Sequence, residues 1–409
     1  MAPFAYPVFR DIWIANLASS MGSVMQAVAA AWMMTELTSS HMLVALIQAS
    51  SALPFLVLGV FAGAIADAYD RRLVMLWSQV FMLAVSAVLS VMGYAHSITP
   101  FALILLTLLV GLGTALNAPA WQASVRMQVD HSDLPQAIAL NSIAFNIARS
   151  LGPALGGIVI SLWSVNMAFA LNAISYLAMI VVLMRWHPVQ QERVRAPMGP
   201  AIMLGLRFCV KSSPIRRVLL RGLVFGFGAA PFQALMPVIV RQQIHGDQLG
   251  YGLVIGAFGL GSVLCAIWVG NVRRRIGSEN LIGMATTVFA AAQILMSIAH
   301  GLPVAVLASL FAGVGWIAVL TSLNVAMQLR SPDAILARCM SIYQAVVFGC
   351  MAVGAWAWGA LADHVGLVAT SQLTALWLML TLILRFVAPM PARDEGRIEP
   401  PAVIGEETV

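Results

Sequence analysis

Long apolar runs, each broken by a short polar segment, recur from one end of the chain to the other. They fall at 11–35, 41–66, 73–94, 100–123, 136–162, 165–185, 218–240, 249–270, 280–299, 302–328, 338–361 and 365–388. Most reach ~20 residues, the length an α-helix needs to cross the hydrocarbon of a bilayer. The pattern predicts an all-α polytopic membrane protein with twelve transmembrane helices. On one side the connections are very short: Thr38-Ser39-Ser40, His96 to Thr99, and Trp163-Ser164. Connections this short join adjacent antiparallel helices.

The longest hydrophilic stretch, 186–217, is punctuated by Pro188, Pro197, Pro200 and Pro214 and includes a candidate interfacial helix over 201–210. It divides the chain into a six-helix half (1–186), a cytoplasmic linker (187–217), a second six-helix half (218–390) and a cytoplasmic tail (391–409). The halves echo one another. SDLPQAIALNSI before the fifth run resembles SPDAILARCMSI before the eleventh, and Arg71-Arg72 has a counterpart in Arg274-Arg275. Parallel six-span repeats with a site between them near the midplane are a transporter arrangement. The second copy, Gly270-Asn-Val-Arg-Arg-Arg-Ile-Gly, carries no acidic residue matching Asp67.

Composition excludes a soluble protein. Of 409 residues 61% are hydrophobic and 9% charged, against about 25% charged in soluble domains. The net charge of +6 comes from 22 Lys and Arg. With both termini cytoplasmic, all of these except Arg149 and Arg241 lie in or beside cytoplasmic segments, which is the positive-inside bias of a multi-pass inner-membrane protein. Such arginines face anionic lipid headgroups, so the basic balance does not imply nucleic acid. Cys209, Cys265, Cys339 and Cys350 have neither metal-ligand nor disulfide spacing. No phosphate-binding loop or hydrolase motif is present, and His41, His96, His131, His187, His245, His300 and His364 are scattered among the loops. No enzyme, metal or organic cofactor is therefore expected. The first apolar run reads as a retained span and not as a cleaved signal.

The charged turn after the second run organises the rest. In Gly59 to Leu76, Gly59, Gly63 and Asp67 recur every fourth residue and share one helix face, where small residues admit a neighbouring backbone. Gly63-Ala-Ile-Ala-Asp67-Ala68-Tyr69-Asp70-Arg71-Arg72 resembles the loop between helices 2 and 3 of the major facilitator superfamily. Ala68 stands where that family usually has a basic residue, and Asp70 where it has Gly. The resemblance implies a cytoplasmic gate built from Gly63, Asp67, Asp70, Arg71 and Arg72, with Arg126 as a further partner. The alternative is a loop whose charges only set topology.

In the fifth run, Arg149-Ser-Leu-Gly152-Pro153-Ala-Leu-Gly156-Gly157 resembles the Gly-Pro-x-x-Gly-Gly motif of the superfamily's exporters. Pro153 has no N–H, so the carbonyl of Arg149 loses its helical donor. Arg149 is the one full charge deep within a span. At that depth a charge costs at least ~2.5–3.5 kcal/mol, so it faces the protein interior or a water-filled cavity. Two readings stand: Arg149 meets an anionic group of a substrate, or it anchors the carbonyls opened by Pro153.

No carboxylate lies at mid-membrane. The branch resembled here often has Asp after the Gly of helix 1, where this chain has Gly22-Ser23, and many drug exporters have Arg on helix 4 where Thr107 stands. Asp11 and Glu36, at the two ends of the first run, remain as coupling candidates. Gln26, Asn146, Gln233 and Gln344 lie near mid-span, either lining a polar cavity or making interhelical hydrogen bonds.

The resemblance spans nearly the whole chain and is closest to the branch of enterobactin-type siderophore exporters, transmembrane secretion effectors and drug:proton antiporters. It implies a monomeric secondary transporter that exports a small amphipathic metabolite, siderophore or drug, driven by an ion gradient, of protons. Within the class the rival is a lysophospholipid flippase or an importer. Outside it, a membrane-embedded enzyme would need clustered catalytic His, Asp or Cys.

Overall fold

The computed structural model describes residues 2–130, 132–187, 198–332 and 335–390. The tail 391–409, linker residues 188–197, His131 and Asp333-Ala334 of the second repeat phrase lie outside the described residues.

The short polar connectors are short because they are helix caps. Ser40, Asp70, Thr99, Ser164 and Asp247 each accept a hydrogen bond from the backbone N–H of the helix that follows. One side chain thereby satisfies a donor left over at each helix start. The first half comprises α1 (Pro7–Leu37), α2 (His41–Ala68), α3 (Arg71–Tyr94), α4 (Pro100–Ser124), α5 (Leu134–Leu162) and α6 (Val165–Arg185). The amphipathic α7 (Met198–Lys211) follows, longer than the segment expected at 201–210, and packs on the second half.

The second half opens with α8 (Ser213–Ala234), which continues through α9 (Met236–Val238) into a π-helical turn, Ile239–Gln243. Next come α10 (Gln248–Ser297), α11 (Leu302–Arg330) and α12 (Leu336–Val365). The last span is built of α13 (Leu367–Leu380), a 3-10 turn and α14 (Leu384–Val387).

Among the described residues eleven helices are long and apolar enough to cross a membrane. They carry twelve crossings, because α10 has 50 residues, about 75 Å of helix against a core of ~30 Å. Gly277, at φ 81° and ψ 162°, turns the chain back between arms 248–276 and 278–297. Glycine adopts that backbone without steric cost, so no loop intervenes.

Within the first half α1 packs on α5 and α6, α3 on α4 and α6, and α2 on α4. Within the second, α10 packs on α11 and α13, and α8 on α12. The halves meet mainly through α2 with α12 and α5 with α10. Glycines set the closeness of these seams: a Cβ on Gly157 would lie 2.7 Å from the Cα of Gly252, and one on Gly359 3.1 Å from the Cα of Met42. Small residues bring helix backbones together in lipid, where no hydrophobic force does so.

At the end of the bundle that holds Tyr6 and Arg71, the Tyr6 hydroxyl donates to Asp130 (2.8 Å) and Asp133 (3.0 Å). The hydrogen bond to Asp130 is the main reason its pKa is raised to about 12. This contact ties the N-terminus to the turn before α5.

Candidate functional site

A cavity of ≈ 510 Å³ lies between the halves. Its first-half wall carries most of the polar groups, beside the apolar Phe55, Met82 and Phe145. On α1 the residues Asn16, Ser19, Ser23 and Gln26 recur at helical spacing and face it, as do Thr107, Thr114 and Asn117 on α4. Its second-half wall is aromatic: Phe232 of α8, Tyr251 and Phe258 of α10, Trp316 of α11 and Phe348 of α12. Phe232, Phe258 and Trp316 touch in series, with centroids 5.9 Å apart for Phe232 and Phe258 and 6.2 Å for Phe258 and Trp316, spacings of favourable ring contact; Tyr251 and Phe348 meet Trp32 and Phe55 of the first half.

Gln26 and Gln233 both line the cavity, as the sequence suggests. Gln26 also accepts a 2.7 Å hydrogen bond from Asn172 of α6, which reaches Tyr176 at 3.2 Å; the Tyr176 hydroxyl lies 3.0 Å from Ser23. Gln26 thus borders the cavity and makes an interhelical hydrogen bond. Asn172 and Tyr176 escaped sequence reasoning, since nothing local marks a partner 146 residues away. Gly22 makes the contact possible: a Cβ there would lie 2.6 Å from both Asn172 Oδ1 and Ser175 Oγ.

Gln344 is not brought to the cavity. It is exposed on α12, one turn from Phe348, which does line it. The side chain of Asn146 lies outside the described residues.

Arg149 lines the cavity with Pro153 one turn on. Among the described residues its guanidinium has no hydrogen bond and no ion pair. The carbonyl that Pro153 frees faces the seam between halves: a Cβ on Gly259 would sit 2.7 Å from it. Nearby, Ser150 Oγ donates to the carbonyl of Gly259 at 3.4 Å. Gly152 packs on Val24 and Gly156 on Met25 of α1, while Gly157 meets Gly252 of α10. The motif thus joins α5 to α1 on one side and to the other half on the other. Four further cavity-lining groups have buried polar atoms without a partner: Gln79 Oε1, Thr107 Oγ1, Asn117 Oδ1 and Trp316 Nε1.

At the Arg71 end the basic pair caps helix C-termini of its own half. Arg72 donates to the carbonyls of Leu183 (2.8 Å) and Met184 (2.9 Å) at the end of α6, and Arg71 to that of Ala123 (3.1 Å) at the end of α4. Asp70 N-caps α3 by accepting from the N–H of Arg72 at 2.8 Å, which gives a local reason for an acid at this position. Arg126 is exposed on the turn Val125–Met127. Gly63 and Asp67 lie in the last turns of α2, and the surroundings of both are outside the described residues.

The second half has its own staple there, which sequence reasoning missed. Buried Arg221 donates to Glu279 (2.8 Å) and to the carbonyls of Leu384 (2.9 Å) and Ala388 (2.8 Å), and Glu279 accepts from the N–H of Met390 at 2.7 Å. An acidic partner thus exists in the second half, on the return arm of α10. A second cavity, ≈ 680 Å³, borders Arg221 and Glu279 within this half and holds none of the residues singled out from the sequence.

The opposite end, marked by His41, is joined across the halves. Asp363 belongs to the last turn of α12 and not to a loop. It accepts from Ser40 Oγ (2.9 Å) and from the N–H groups of His41 (2.6 Å) and Met42 (3.2 Å), at the start of α2. His41 Nδ1 lies 3.4 Å from the same carboxylate, and Nε2 3.1 Å from Gln242 Oε1. Arg241 donates to Thr35 Oγ1 at 3.1 Å.

Asp11 pairs with its exposed neighbour Arg10 at 3.0 Å, and exposed Glu36 accepts from Trp32 Nε1 at 2.8 Å. Both stand at helix ends, and neither lines the cavity.

Two sets of membrane-crossing helices closing on a central cavity are the architecture of a secondary transporter. The chain belongs to the transmembrane secretion effectors of the major facilitator superfamily, whose family model matches residues 1–409. It is 24% identical to the staphyloferrin A transporter of Staphylococcus aureus over 241 residues, 58% of this chain and 60% of that one. It is 22% identical to macrolide efflux protein A of Streptococcus pyogenes over 276 residues, 66% of this chain and 68% of that one. It is 23% identical to the multidrug efflux pump Tap of Mycolicibacterium fortuitum over 393 residues, 92% and 95% of the two chains. A crystal structure of the nucleoside transporter NupG shares the fold, with a TM-score of 0.73 at 14% identity over 94% of this chain and 100% of that one.

Proposed function

We propose that the protein is a secondary active exporter that carries a small amphipathic molecule out of the cytoplasm by alternating access. The observation that carries this reading is the cavity between halves, with the carboxylate of Asp363 on α12 bonded across the seam to the start of α2 at one end of it. Export, and not import, is favoured by the Gly-Pro-x-x-Gly-Gly segment on α5 and by relatives named for efflux of macrolides and other drugs. The positive-inside bias turns the Arg71 end and both termini to the cytoplasm, and the His41 end outward. On this view the membrane is the inner (cytoplasmic) one, the units that rock are 1–186 and 218–390, and the carrier is monomeric. It works without an organic cofactor or enzymatic step. The drive is an ion gradient, of protons, and its carboxylate lies away from the central cavity.

The test uses the full chain in proteoliposomes. Spin labels placed on the two halves at the His41 end should show two inter-half distances whose populations shift when a proton gradient is imposed. Inverted vesicles should accumulate a transported solute, and preloading with unlabelled solute should stimulate exchange. One fixed distance, or flux that never shows exchange, would sink the carrier reading.

A further inference from the structure

We infer that the central cavity is built for soluble amphipathic organic anions, with a carboxylate head on Arg149 and an apolar body on the aromatic wall. This inference rests on the carrier reading above and names its substrate class.

Charge comes first. Among the described residues lining the cavity, Arg149 is the only ionised side chain and no Asp or Glu faces it. Its guanidinium has no described partner, in contrast to Arg72 and Arg221, which are bonded to carbonyls and, for Arg221, to Glu279. A planar fork of donors with nothing to bind matches a carboxylate in two parallel hydrogen bonds. An organic cation would meet the same charge without a counter-ion, and would be repelled where water is scarce.

Unpartnered polar atoms in the lining residues come second. Gln79 is 2% exposed and Thr107 7%, yet Gln79 Oε1 and Thr107 Oγ1 have no partner. On the facing wall Trp316, 2% exposed, has an unpartnered Nε1. Buried polar groups are normally satisfied, and these three are exceptions among the residues that line the cavity. The aromatic wall then fixes the other end of the molecule. Phe232, Phe258, Trp316 and Phe348 offer π-faces and edges to an apolar or aromatic body. The two walls belong to different halves, so a molecule with a head and a body is the one that touches both.

The test compares three probes that differ only in the head: dansylglycine (anion), dansylglycinamide (neutral) and dansylethylenediamine (cation). Each is titrated against the full chain in nanodiscs, following energy transfer from tryptophan to the dansyl group. Dansylglycine should bind at least about tenfold more tightly than the other two. Arg149→Gln should abolish that preference, weakening dansylglycine about tenfold and dansylglycinamide far less, whereas Arg149→Lys should retain part of it. Trp316→Phe should reduce the transfer signal. Melting temperatures show that each variant is folded. Equal affinity for all three heads, an equal loss for all three in Arg149→Gln, or no binding by any probe would overturn the proposal. Displacement of dansylglycine by lysophosphatidylglycerol but not by 2-naphthoate would make the occupant a lipid, which also overturns it. The carrier reading fails separately: head preference lost on Arg149→Gln, with an inter-half distance that never changes, keeps the anion site and sinks alternating access.

Discussion

The two ends of the bundle place their charges in opposite ways. At the Arg71 end, arginines cap helix C-termini within their own half: Arg72 on α6, Arg71 on α4, and Arg221 on the last span. At the His41 end, one carboxylate of α12 caps the N-terminus of α2 in the other half. Both arrangements follow one rule, since cations suit the carbonyl end of a helix and anions its N–H end. The bonds of Arg72 and Arg221 named here stay inside a half, and those of Asp363 cross the seam. Bonds inside a half make it a rigid body, and bonds across the seam make a gate.

The largest effect is expected from Arg221→Ala. It leaves Glu279 half-buried without its cation and three acceptors unfilled. Removing one partner of a buried pair costs about 3 kcal/mol. Melting temperature and folded yield should fall sharply while the partition between open and closed gates in the folded remainder stays as it was. A gate shift in that remainder would break the distinction between the ends.

Asp363→Ala should do the converse. It removes three acceptor contacts from α2, each worth about 1 kcal/mol before discounting for partial exposure. The His41 end should open in about tenfold more molecules, read by labelling a cysteine placed at Gln48, with little change in melting temperature. Unchanged labelling would reduce Asp363 to a helix cap.

Arg72→Ala should cost about 1 kcal/mol of stability, since its two carbonyl acceptors are only partly buried, with gate labelling unaltered. The smallest effect belongs to Arg126→Gln. This exposed side chain should leave stability within about 0.5 kcal/mol of the parent. Transport slowed in Arg126→Gln at normal stability would instead tie it to Asp67 and make the Arg71 end a second gate.

Much of this fold is legible in the chain because lipid imposes a simple demand: every crossing must be a long apolar helix. The close packing at the fifth-run glycines was also legible, because small residues four apart let a neighbouring helix approach. Less visible was the turn between the eighth and ninth crossings. Arg273-Arg274-Arg275 ends an apolar run, so the sequence suggested a loop, yet those residues remain helical and Gly277 alone reverses the chain. Asp363 likewise lies past the apolar run 338–361 yet inside α12, since a charge ends the hydrocarbon-facing stretch without ending the helix. Gln344 was misjudged because mid-span position says nothing about direction around α12. The partners Asn172–Gln26 and Arg221–Glu279 depend on which helices become neighbours, and no local pattern carries that.

The bonds to Asp363 have a kinetic side. In an alternating cycle they break and re-form at every turnover, so they act as a throttle. Each ~1.4 kcal/mol of closed-state stabilisation that is lost before the barrier is crossed slows opening about tenfold. Each similar loss lets the outer end stand ajar more often, and with it the chance that the inner end opens too and the ion gradient leaks through. The strength of a single carboxylate on α12 therefore sets how fast such a carrier can run before it begins to drain the gradient that drives it.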